Sequence, residues 1–88
     1  MPEYNAFSVP TVFVKEGFRF FFFFYGNDHA PIHVHVRKGD GEAVFSVEGG
    51  VELRESVGLK LNELRRAEAL AEAHREAIVE KWHEHFGR

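Results

Sequence analysis

Hydrophobic positions along this chain change period once, close to residue 60. Ahead of that point apolar side chains come in short runs or alternate with polar ones, as in strands. Behind it they recur every three or four residues, as on one face of a helix. Residues 10–14 read as a short strand, with Lys15-Glu16-Gly17 turning the chain into the next run. Residues 18–25 are aromatic at every position but Arg19 and give the strongest strand signal, ended by Gly26-Asn27-Asp28. Residues 32–37 and 42–48 flank Lys38-Gly39-Asp40-Gly41 and predict a hairpin, and residues 51–56 offer one more extended piece. From 61 to 86 the stripe Leu61, Leu64, Ala67, Leu70 or Ala71, His74, Ile78, Trp82 and His85 or Phe86 predicts a single long helix. Lys60 or Asn62 sits at its start, and Gly87 stands where a C-terminal glycine belongs. Glu68, Glu72, Glu76, Glu80 and Glu84 line its solvated side. The expected architecture is a small α+β domain over residues 10–88, preceded by a tail at 1–9. It consists of a three- or four-stranded antiparallel sheet with one long C-terminal helix packed on it.

The phenylalanine run breaks the alternation expected of such a sheet. Phe20, Phe22 and Phe24 face one way, while Phe21, Phe23 and Tyr25 face the other. One helix covers one face only. The second aromatic face therefore calls for the N-terminal segment with Tyr4 and Phe7, or for another copy of the chain or a cognate small protein. A homodimer or a standing protein partner is the expectation.

Chemistry concentrates in the stretch from His29 to Val36, which holds three of the six histidines, His29, His33 and His35. Strand alternation puts His33 and His35 on the same side, with His29 arriving from the loop before them. With the turn at Gly39-Asp40, the hairpin register pairs Arg37 with Glu42, His35 with Val44 and His33 with Ser46. One face of the hairpin then carries Ile32, Val34, Val36, Ala43, Phe45 and Val47. The other is a polar strip of His33, His35, Ser46 and the Arg37–Glu42 pair.

Three readings of that strip stand side by side. Three imidazoles can hold a zinc-like ion and leave one position open. Two imidazoles can instead act as general base and general acid without metal, with Arg37 or Lys38 holding a phosphate, which is how histidines cleave RNA by activating the ribose hydroxyl. The third reading is structural, with the histidines hydrogen-bonded to Ser46, Asp28, backbone or a partner. His74 falls on the apolar stripe of the helix and reads as a packing residue. His83 and His85, just after Trp82, suit the negative pole of a helix end.

Size and charge narrow the classes. Eighty-eight residues allow one core, since a chain this short buries only about 60% of its unfolded surface. There is no cysteine, so neither disulfides nor thiolate ligands reinforce it. The net charge of −3 sits in the first 59 residues, which carry five basic and eight acidic side chains; the remainder balances. That excludes a broad nucleic-acid footprint and leaves only a narrow basic spot at Arg37-Lys38. No apolar stretch approaches the roughly 18 residues that cross a membrane, and the first residues carry no secretion signal. A cytoplasmic protein without a cofactor is expected.

The order Pro10-Thr11-Val12-Phe13, then Gly17-Phe18-Arg19-Phe20-Phe21-Phe22, His29-x-Pro31-x-His33-Val34-His35-Val36, Gly41-Glu42-Ala43 and a closing Trp82-His83-Glu84-His85-Phe86 resembles the small bacterial domain-of-unknown-function family 4160. The likeness runs from Pro10 to Gly87. Ile32 departs from it, because relatives often carry a second proline there. No activity is established for the family. The resemblance implies a member of a two-gene module of the toxin–antitoxin kind, with His29, Pro31, His33 and His35 as its functional patch. On that footing His29, His33 and His35 are the catalytic candidates, Arg37, Lys38 and Ser46 the substrate-binding ones, and RNA a substrate. The other classes are a non-catalytic dimeric interaction domain and a metal-binding module.

Overall fold

A computed structural model describes residues 11–22 and 31–86. Five strands form one antiparallel sheet in sequence order: β1 (Thr11–Lys15), β2 (Phe18–Phe21), β3 (His33–Lys38), β4 (Gly41–Ser46) and β5 (Glu52–Val57). Two helices follow, α1 (Leu61–Ala73) and α2 (Arg75–Phe86). The α+β class holds, with one strand more than expected and the long helix in two pieces. The tail and the greater part of the segment that carries Phe23, Phe24, Tyr25 and His29 lie outside the described residues.

Turn chemistry explains why consecutive strands are neighbours. Glu16 and Gly17 both take positive φ, 56° and 83°, the signature of a two-residue type I′ turn between β1 and β2. Gly39 takes φ 59° ahead of Asp40, as the first central residue of a II′ turn does, and closes β3 on β4. β5 is the strand whose place was left open by the sequence. It is exposed along its whole length, so no buried face imposes an alternating pattern on it.

One face of the sheet makes the core. Phe18, Phe20, Phe22, Val34, Val36, Ala43, Phe45 and Val47 pack against Ala67, Leu70, Ala71, Ile78 and Trp82. Each of the larger side chains contributes about 1.5–3 kcal/mol by leaving water. Phe21, on the other face, is also buried. Of the second-face residues Phe21, Phe23 and Tyr25, Phe21 alone is among the described residues.

The helix breaks at His74, which leaves helical geometry at φ −111° and ψ 19°. Neither proline nor glycine causes the break. It falls where the His74 ring packs on Phe13, 4.6 Å between centroids, and where Arg75 turns to the sheet. Arg75 Nε donates to the Val47 carbonyl at 2.7 Å and its Nη2 donates to the Glu48 carbonyl, tying the start of α2 to the end of β4. At the other end of the helical layer, Arg66 makes a two-pronged pair with Glu16 in the β1–β2 turn. That guanidinium holds the Glu16 carboxyl below its ordinary range. Lys60 precedes α1; Glu63 accepts from its backbone N–H at 2.9 Å, the reciprocal half of a capping box.

Candidate functional site: the histidine face of the sheet

The face opposite the helices is set by parity and register. β3 buries Val34 and Val36 and so turns His33, His35 and Arg37 the other way. Across β3 and β4 the partners are His33 with Ser46, His35 with Val44 and Arg37 with Glu42, the register the turn predicted. Across β2 and β3, Arg19 lies opposite Arg37 and Phe21 opposite His35. Across β4 and β5, Glu42 pairs with Val57 and Val44 with Glu55, before a bulge at Arg54 shifts the register. Two rows result: Arg19, Arg37, Glu42 and Val57 in one, Phe21, His35, Val44 and Glu55 in the next.

Both rings have an oxygen near Nδ1, one within hydrogen-bond reach and one at ion-pair distance. His33 Nδ1 lies 2.9 Å from the Pro31 carbonyl, which only accepts, so this nitrogen carries the hydrogen and the neutral ring has its lone pair on Nε2. His35 Nδ1 lies 3.6 Å from Glu42 Oε2, at ion-pair distance, while Glu42 Oε1 accepts from Arg37 Nη2 at 2.9 Å. Glu42 thus stands between a guanidinium and an imidazole. The two imidazole centroids are 5.5 Å apart with planes at 64°. Phe21 stacks on His35 at 5.4 Å, and the Arg19 guanidinium lies 4.8 Å above that same phenylalanine while its Nε donates to Thr11 Oγ1. Trp82 reaches His33 from α2 at 5.3 Å, so the site touches the core at that corner.

Beside His35 the face opens into a groove of about 400 Å³ toward β5, walled by Glu42, Val44, Glu55 and Val57. His35 retains 14% side-chain exposure and Glu42 28%. Both are reachable and both are partly desolvated.

Of the residues singled out from sequence, His33, His35, Arg37 and Ser46 come together on this face. Lys38 does not. It has the parity of Val34 and Val36, and its Nζ sits 4.7 Å over the Phe18 ring on the helix side. His29 lies outside the described residues. Arg19 takes the place expected of Lys38 as the second cation, a placement that required the β2–β3 register. His74, His83 and His85 stand apart from the strip; the ring of His85 meets Phe22 edge-on at 5.8 Å. Among the described residues no three His, Cys, Asp or Glu side chains converge as a metal cage, and no helix is long and apolar enough to cross a membrane.

Fold and face together define a small α+β domain with a paired-histidine site on the sheet surface opposite its helices. The family model described as "Domain of unknown function (DUF4160)" matches residues 17–83, and the chain belongs to that family. No curated protein and no solved structure matches it.

Proposed function

We propose that this domain is the RNA-directed component of a small toxin–antitoxin-type module, and that the His33–His35 pair performs acid–base chemistry on the phosphodiester. The observation that carries the reading is the pair itself: two imidazoles side by side, one hydrogen-bonded at Nδ1 to the Pro31 carbonyl and the other at ion-pair distance from the Glu42 carboxylate. A base needs a nitrogen that carries a lone pair, and the Pro31 carbonyl at Nδ1 leaves that lone pair on Nε2 of His33. An acid needs a stabilised imidazolium, and Glu42 supplies the counter-charge beside His35. In the proposed reaction His33 removes the proton from a ribose 2′-hydroxyl and the 2′-oxygen attacks phosphorus. The bond to the 5′-oxygen breaks, and His35 protonates that leaving oxygen. The products are a 2′,3′-cyclic phosphate and a free 5′-hydroxyl. Arg37 and Arg19 on the same face offer positive charge to the phosphate. The local basic spot answers the objection from net charge, since one phosphate needs only one or two cations.

Expression in bacteria tests this. The wild-type chain should slow growth and fragment cellular RNA, and a His33→Ala/His35→Ala chain should do neither. Equal growth with equally intact RNA would remove the nuclease reading.

A second reading rests on β5, an edge strand with Val57 71% and Leu53 41% exposed. An exposed edge can take a partner strand, and the two-gene setting that the resemblance implies would supply a partner. Mass measurement of the chain in solution separates a self-paired form from a monomer that meets a different protein.

A further inference from the structure

We infer that the groove beside His35 takes a guanine base and that Glu55 selects it, so that RNA is cut on the 5′ side of guanosine. This deepens the RNA reading and rests on it. The first support is place. In the proposed reaction His35 protonates the departing 5′-oxygen, so the nucleotide that owns this oxygen lies on the His35 side of the site. The groove opens from there toward β5, and at about 400 Å³ it falls in the size range of small-molecule sites. His35, Val44 and Glu55 stand in one row across β3, β4 and β5. Two strand spacings, about 9.5 Å, separate the first from the last. That span is the reach of one nucleotide from its 5′-oxygen to its pairing edge.

The second support is the lining. Val44 and Val57 offer an apolar wall to the flat face of a base. Of the two carboxylates in the groove, Glu42 is engaged by Arg37 and stands at ion-pair distance from His35. Glu55 is exposed, and its carboxylate has no ion-pair or hydrogen-bond partner among the described residues. An ionised carboxylate only accepts, and it presents two oxygens side by side. Guanine is the one common base whose Watson–Crick edge carries two adjacent donors, N1–H and the 2-amino group. Adenine and cytosine set a donor beside an acceptor, and uracil flanks its single N–H with two carbonyls. Single-stranded bases are read on this edge. Glu55 therefore matches guanine with two hydrogen bonds and each of the others with one at most.

Four 2′-O-methyl oligonucleotides test this with the purified full chain. Each carries one free 2′-hydroxyl, hence one cleavable bond, and they differ only in the base that follows it. The strand with guanine in that place should be cut at least about tenfold faster than the other three, within the discrimination that a two-pronged contact gives. Hypoxanthine keeps N1–H and lacks the 2-amino group, and in place of guanine it should forfeit most of that advantage. Glu55→Gln exchanges one acceptor for a donor and should bring the guanine rate down to no more than the adenine rate. A ratio of rates within one preparation does not depend on how much of the chain is folded, so a merely structural role for Glu55 would leave it unmoved. Equal cutting of the four strands by the wild type, preference for another base, or a guanine preference that survives Glu55→Gln would overturn this inference and leave the RNA reading standing. A wild-type chain that cuts none of the four would remove both.

Discussion

The two faces of the sheet are built from alternate residues of the same strands and have opposite chemistry. On the helix side Val34, Val36, Phe45 and Val47 are wholly buried. One residue away along the same backbone, Glu42 pairs with Arg37 and lies at ion-pair distance from His35, whose ring meets that of His33. A polar strip is tolerable there because the neighbouring face already carries the fold. Stability and chemistry are thus separated by a period of two, and substitutions should divide the same way.

The largest effect belongs to the helix side. Phe45→Ala removes a fully buried ring from the middle of the core and should cost about 3–5 kcal/mol. For a domain this small that is a large part of the total stability. A denaturant melt that moved by less than 1 kcal/mol would break the division of labour between the faces.

Gly41 comes next. A Cβ there would stand 2.7 Å from the Gly58 carbonyl oxygen and 2.6 Å from a Leu59 methyl, where the approach to α1 crosses the start of β4. Gly41→Ala should cost about 1–3 kcal/mol through that overlap, again read from a melt.

The smallest effect lies at the rim. Arg66 depresses the Glu16 carboxyl below its ordinary 4.5, so the pair supports the folded chain fully above that value and loses its contribution as pH falls through the depressed folded value. Both groups are exposed and solvent screens them, so the gain is slight. Urea melts of wild type and Glu16→Gln should converge in acid and separate modestly near neutrality. A gap that widened in acid would reverse the sign and contradict the pairing.

Much of this arrangement was legible in the residues. The β3–β4 register follows from a two-residue turn at Gly39-Asp40, and once the turn is placed the strip of His33, His35, Arg37, Glu42 and Ser46 follows by parity. Lys38 illustrates the same rule in the negative: it neighbours Arg37 in sequence and for that reason points to the other face. Arg19 and Phe21 required the β2–β3 pairing, which no short turn dictates because the intervening segment is long. β5 has no buried side, so periodicity left its place in the sheet open. The helix break was hidden because the apolar stripe continues through His74 without interruption. Its cause is tertiary, a histidine packed on Phe13 beside an arginine tied to Val47 and Glu48.

The central claim is that the histidine face acts while the helix face only holds. Purified chain incubated with end-labelled RNA, and with the same strand as DNA, tests it most directly. Wild type should cut RNA alone, leaving 2′,3′-cyclic phosphate ends. The His33→Ala/His35→Ala chain should be inactive yet still unfold cooperatively, since the helix-side core that carries the fold is left intact. RNA left whole by the wild type, or cut equally by the double variant, would contradict the account.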